Sequence, residues 1–188
     1  MTYDLVAMGA SWGGLHAVET VLSGLPDGFR TPIAIAQHRA VVAGSGALAR
    51  MLSLRSGVQV REAGDKDPIE PGGVYVAPPD YHLLVEPGGF ALSIEEQVQH
   101  SRPSIDVLFD SAADTYGESL IGVILTGANH DGAYGLTRVK RRGGVTIAQD
   151  PATAERRDMP AAAIATGAVD HVLALEEIGP KLGELVAA

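Results

Sequence analysis

The chain of 188 residues has no cysteine, which excludes disulfides and thiolate chemistry and fits a cytoplasmic protein. No apolar run reaches the roughly 18 residues that span a bilayer, so no membrane insertion is expected. The first residues, Met1-Thr2-Tyr3-Asp4, carry no basic segment and lead straight into an apolar stretch, so no signal peptide is expected. Positive charge is scarce. Fourteen Lys and Arg stand against 23 Asp and Glu, a formal charge of −9, which disfavours nucleic acid and anionic membrane as partners. The basic run Lys140-Arg141-Arg142 falls at the end of a predicted helix, where cations complement the dipole. No internal repeat, low-complexity segment or long linker divides the chain.

What is present is 46% apolar and 20% charged residues, the composition of one globular domain. Apolar periodicity predicts strand 3–8, helix 12–24, strand 32–37, helix 45–55 and strand 58–61. A stretch from Asp67 to Glu96, punctuated by Gly and Pro, holds three β-like runs, 73–77, 81–85 and 90–94. Its turns, Pro78-Pro79-Asp80 and Glu86-Pro87-Gly88-Gly89, suggest antiparallel hairpins attached to the sheet. Helix 103–117, strand 120–126, helix 131–142, strand 145–148, helix 159–166, strand 170–173 and helix 175–187 follow. The alternation predicts an α/β fold: a doubly wound, mostly parallel sheet flanked by helices, with an antiparallel hairpin extension. In such sheets ligands bind outside the carboxyl ends of the strands, where the strand order switches.

That rule draws attention to Met8-Gly9-Ala10-Ser11-Trp12-Gly13-Gly14, a G-x-S-x-G turn between a predicted strand and helix. It matches a nucleophile elbow, in which a sharp turn lifts the serine hydroxyl clear of the backbone beside free helix N–H groups. Two other readings compete: Ser11 as the N-cap of the helix, or the glycines as a dinucleotide-binding turn. The second lacks its middle glycine and the acidic residue that should end the next strand, which ends instead at His38. Strand 120–126 runs into Gly127-Ala128-Asn129-His130-Asp131-Gly132-Ala133, so a serine, a histidine and an aspartate project from one sheet edge. Hydroxyl, imidazole base and orienting carboxylate are the composition that nucleophilic acyl transfer requires. Taken singly, His38 reads equally as a loop or core residue and Asp131 as the N-cap of the helix that follows it. The order Ser, His, Asp differs from that of α/β-hydrolases. His130 and His16 are rivals for the base. His82, His100 and His171 show no metal-ligand spacing, and no metal or cofactor is expected.

Several blocks occur in order: Gly9-Ala10-Ser11-x-Gly13-Gly14, Gln37-His38, Ser101-Arg102-Pro103-Ser104-x-Asp106, Leu125-Thr126-Gly127 with Asp131-Gly132-Ala133, and Ala148-Gln149-Asp150. With Val76-Ala77-Pro78-Pro79-Asp80-Tyr81-His82 and Met159-Pro160, they closely resemble the catalytic domain of the bacterial chemotaxis protein-glutamate methylesterases over nearly the whole chain. The resemblance implies hydrolysis of glutamate γ-methyl esters on the cytoplasmic helices of methylated chemoreceptors, often with glutamine deamidation. Ser11 is then the nucleophile, His38 the base and Asp131 the orienting carboxylate. It further implies one catalytic domain over 1–188, cytoplasmic and without the receiver domain common in the family. Alternatives are a non-catalytic signalling module of the same fold, or an esterase with another substrate.

The chain departs from the family pattern at Trp12, where a small residue is usual, at Arg39-Ala40 in place of Met-Pro, and at Ala128-Asn129 in place of Met-Gly. Trp12 and Ala128 are the expected oxyanion or substrate contacts through their N–H groups. Arg102 is expected either to pair with a substrate or receptor carboxylate or to form a surface salt bridge.

Overall fold

The computed structural model describes residues 3–38 and 46–187. Seven strands form one sheet in the order β3-β4-β2-β1-β7-β8-β9. They are β1 (Leu5–Ala10), β2 (Ile33–Gln37), β3 (Val60–Glu62), β4 (Val74–Val76), β7 (Leu120–Ile124), β8 (Val145–Gln149) and β9 (His171–Leu173). Every pairing in it is parallel. Two more strands, β5 (His82–Glu86) and β6 (Gly89–Ser93), pair antiparallel as a separate hairpin.

Alternation along the central strands divides the core in two. Leu5 and Ala7 of β1 and Ala34 and Ala36 of β2 face α3 (Ile105–Tyr116), α4 (Ala133–Arg141) and α5 (Asp158–Ala165), meeting Ile105, Phe109, Leu136 and Met159. Val6, Met8, Ile33 and Ile35 face α1 (Gly14–Ser23), α2 (Ala47–Ser56) and α6 (Leu175–Ala187), meeting Val18, Leu22, Leu52 and Leu182. Each such fully buried Val, Leu, Ile, Met or Phe contributes roughly 1.5–3 kcal/mol of transfer free energy. Burial on both faces explains why β1 and β2 read as unbroken apolar runs.

The chain leaves β1 for β2 on one side of it and returns through β7 on the other, so the order switches at β1. A crevice therefore opens at the carboxyl ends of β2, β1 and β7. Helix 45–55 is observed as α2; its first predicted residue lies outside the described residues.

One expectation is corrected. The run 73–77 is not part of a hairpin: its Val-Tyr-Val core is β4, a parallel strand between β3 and β2. Flanking prolines and glycines imitate hairpin turns, but all three β4 residues are buried, as an interior parallel strand demands. The β5–β6 hairpin is the expected antiparallel extension, and it pairs as a sheet of its own and not with the seven-stranded one. It packs on α3, where the Ser111 hydroxyl accepts from the Val85 N–H and the Thr115 hydroxyl donates to the Val85 carbonyl. Among the described residues no helix is long and apolar enough to cross a membrane.

Candidate active site

Ser11 follows β1 directly. Its N–H donates to the Thr126 carbonyl at the end of β7, and its own carbonyl accepts from Gly14 N–H, both at 2.9 Å. Gly13, with φ of 76°, takes the left-handed conformation that closes this turn and caps α1 without a side-chain hydrogen bond. Ser11 is therefore not the helix cap. Its Oγ lies 3.2 Å from Nδ1 of His38, the residue that follows β2. Nε2 of the same imidazole is 2.7 Å from Oδ2 of Asp131. An ionised carboxylate only accepts, so Nε2 carries the hydrogen and Nδ1 presents its lone pair to the serine. The imidazole is 11% exposed and the carboxylate fully buried.

Asp131 does not cap the helix it precedes, since α4 starts from Gly132 without a side-chain cap. Its carboxylate reaches across to the start of α3. Oδ2 accepts from Ile105 N–H at 2.7 Å, and Oδ1 accepts from Asp106 N–H at 3.0 Å and the Ser104 hydroxyl at 2.9 Å. Asp106 answers in kind: its Oδ1 accepts from Gly132 N–H at 2.9 Å and Gly135 N–H at 2.7 Å, at the start of α4. Each carboxylate thus sits in the positive end of the other's helix. Burial would raise the Asp131 carboxyl, but the His38 hydrogen bond and the two α3 N–H donors outweigh it and hold its pKa below the ordinary value. For Asp106, burial prevails over the Gly135 and Gly132 donors, with help from the Asp131 charge, and pushes the pKa up to about 6.

The other expected site residues fall into place differently. Trp12 is 60% exposed, not a core residue. Its Nε1–H donates to Glu155 at 2.8 Å and the Arg156 guanidinium stacks over its ring at 5.5 Å. The Thr126 hydroxyl reaches the Trp12 carbonyl at 2.9 Å and fixes its backbone. Ala128 is exposed beside the site. Among the described residues neither the Trp12 nor the Ala128 N–H donates to a protein acceptor. A Cβ on Gly127 would overlap the Met159 sulfur and stand 2.9 Å from the Ser11 Cβ, so only glycine brings this loop so near the serine.

Arg102 takes the salt-bridge alternative. It binds Asp80 through Nε at 3.0 Å and Nη2 at 2.7 Å, and the Ile94 and Glu95 carbonyls through Nη1 at 2.7 and 2.9 Å. With its donors so committed, it ties the loop before α3 to the hairpin and is not the substrate-carboxylate contact expected. His16 and His130 are exposed, and it is His38 that meets the serine. His82 is buried and structural, accepting from Ser104 N–H and donating to the Glu96 carbonyl. Arg39 and Ala40 lie outside the described residues. No cluster of potential metal ligands occurs among the described residues. A cleft of about 720 Å³ between Pro26, Phe29 and Pro180 opens at the amino ends of the strands, away from Ser11.

Sequence reasoning missed Ser101, Ser104, Asp106 and Asn129. The first three share the compact Ser101-Arg102-Pro103-Ser104-x-Asp106 block, in which Ser104 is the N-cap of α3; Asn129 lies outside it, two residues before Asp131.

Residues 6–182 match the model of the family described as CheB methylesterase. The chain belongs to the CheB methylesterase family. A Leptospira interrogans member, named provisionally as a protein-glutamate methylesterase/protein-glutamine glutaminase, is 49% identical over 179 residues, which are 95% of this chain and 92% of that one. The protein-glutamate methylesterase FrzG of Myxococcus xanthus is 44% identical over 98% of this chain, which spans only 55% of FrzG. The crystal structure of the Thermotoga maritima CheB methylesterase catalytic domain superposes with a TM-score of 0.93 at 36% identity, covering 99% of this chain and 100% of that one.

The cross-capping of α3 and α4 predicts a pH signature. Because Asp106 titrates higher folded than unfolded, the folded state holds the extra proton between about pH 4 and about pH 6. The contribution of Asp106 to stability therefore falls as pH rises through that window. Urea unfolding of Asp106→Asn and wild type at about pH 4 and about pH 7 should show the variant gaining on wild type by roughly 2–3 kcal/mol at the higher pH. Parallel pH profiles for the two proteins would contradict the assignment.

Proposed function

We infer that this chain hydrolyses glutamate γ-methyl esters of chemoreceptors, with Ser11 as nucleophile, His38 as base and Asp131 as its orienting partner. The observation that carries the reading is His38, with one ring nitrogen 3.2 Å from the Ser11 hydroxyl and the other 2.7 Å from a buried carboxylate. The family and the names of its members support the substrate. The same names include glutaminase activity, which the same chemistry serves with ammonia leaving in place of methanol.

Ser11 Oγ attacks the ester carbonyl while His38 Nδ1 takes its proton. Asp131 stabilises the imidazolium and keeps Nδ1 facing the serine. The oxyanion is received by the N–H groups of Trp12 and Ala128, the first held by the elbow and the second carried on the loop that Gly127 brings close. His38 then protonates departing methanol, and water hydrolyses the glutamyl ester of Ser11 by the reverse proton path.

Ser11→Ala should abolish methanol release from methylated receptor while leaving the unfolding midpoint nearly unchanged, since Ser11 caps no helix. His38→Ala should remove the base, and Asp131→Asn should also be severe; the equivalent change in a serine protease costs about 10⁴ in rate. Combining the two should cost far less than the product of the single effects. Retained turnover in Ser11→Ala, or simple multiplication of the other two, would overturn the reading.

Trp12 presents an indole fixed by Glu155 and Arg156 next to the nucleophile, an arrangement suited to anchor a receptor helix. Trp12→Ala should lower turnover of methylated receptor about tenfold and leave a small methyl ester unaffected. A rise for both substrates would show that the indole obstructs the site.

A further inference from the structure

Three hydrogen-bond donors converge on one lone pair. His38 Nδ1 lies 3.2 Å from Ser11 Oγ, 3.4 Å from Ser101 Oγ and 3.5 Å from Asn129 Nδ2. With Nε2–H given to Asp131, Nδ1 has a single in-plane lone pair and accepts one good hydrogen bond at a time. Ser11 is the nearest claimant, so Ser101 and Asn129 are surplus in the free enzyme. Neither is loosely placed. Ser101 exchanges both backbone hydrogen bonds with Val98, at 2.9 and 3.2 Å, and the next residue, Arg102, is anchored to Asp80. Asn129 Oδ1 accepts from Asp131 N–H at 3.2 Å, which turns the amide NH₂ toward His38.

We propose that Ser101 and Asn129 hold the water that hydrolyses the acyl-enzyme. The proposal rests on the acyl-transfer reading above. Once Ser11 is acylated its Oγ has no hydrogen, and the Nδ1 lone pair becomes free. A water placed there has two O–H groups and two lone pairs to satisfy. One O–H donates to Nδ1 and the other to Ser101 Oγ, one lone pair accepts from Asn129 Nδ2–H, and the last points at the acyl carbon. The new bond forms between the water oxygen and the acyl carbon as Nδ1 takes the proton. The intermediate collapses with cleavage of the carbon–Oγ bond, Nδ1 returns the proton to Ser11 Oγ, and the glutamyl product leaves as the carboxylic acid, which ionises to solvent. Both side chains face the base, so they act where methanol departs and water enters.

The test separates the two half-reactions with a p-nitrophenyl ester of an N-acylated glutamate side chain. Stopped flow gives the acylation rate. Acid quench during steady turnover, followed by mass spectrometry, gives the fraction of Ser11 that is acylated, and turnover divided by that fraction is the deacylation rate constant. Ser101→Ala and Asn129→Ala should each lower deacylation about tenfold or more and leave acylation within about twofold. Ser101→Thr, which keeps the hydroxyl, should retain deacylation. A deacylation constant unchanged in both alanine variants, or one that falls in step with acylation, overturns the proposal while Ser11 acylation stands. No acylated Ser11 in any protein, with turnover retained in Ser11→Ala, would overturn the acyl-transfer reading itself and this proposal with it.

Discussion

Four hydrogen bonds meet at the Asp131 carboxylate, and most of the site's geometry follows from them. His38 Nε2, the Ser104 hydroxyl and the first two N–H groups of α3 all donate to it. The group that orients the base is therefore also the anion at the positive end of a helix. A carboxylate so surrounded stays ionised although fully buried, and an ionised carboxylate dictates the tautomer of the imidazole. Asp106 fixes the start of α4 in return, so α3, α4, the aspartate loop and the base form one mechanical unit. The serine is placed independently, by the end of β1 and the Thr126 carbonyl. The site is the meeting of these two units across the switch in strand order.

The placement of the serine was readable in the sequence, and that of the helix-bound carboxylate only in part. Ser11, His38 and Asp131 were legible because each follows a strong apolar strand, and parallel strands deliver their carboxyl ends to a common edge. The elbow was legible in its glycines. The cross-capping was not, because Asp131 precedes α4 and every local rule assigns it to that helix; only packing reveals that it serves α3. The short strand β4 was misread for a related reason. The three residues of β4, set between Pro71-Gly72-Gly73 and Ala77-Pro78-Pro79, carry too little pattern to oppose their flanking turn signals, and burial between β3 and β2 decides the matter. For Arg102 the sequence leaves a salt bridge and a substrate contact equally open, and only the packing shows Asp80 and two carbonyls occupying it. Ser101 and Asn129 lie 63 and 91 residues from His38 in the chain, and no spacing rule links them to it.

The departures from the family pattern cluster on two sides of the same serine. Trp12 enlarges the exposed surface on the α1 side and is braced by Glu155 and Arg156. Ala128 and Asn129 reshape the opposite loop, leaving a backbone N–H beside the site and adding an amide beside the base. The unit of Asp131, Ser104 and Asp106 lies beneath both, buried and fully bonded.

The central claim is that Asp131 holds His38 with hydrogen on Nε2 and the Nδ1 lone pair toward Ser11. Nitrogen-15 NMR of the neutral imidazole, in protein labelled at histidine, reads this directly. A protonated-type shift at Nε2 and an unprotonated shift at Nδ1, with that pattern lost in Asp131→Asn, is the predicted result. A hydrogen on Nδ1 in the wild type, or a tautomer indifferent to Asp131→Asn, would contradict it.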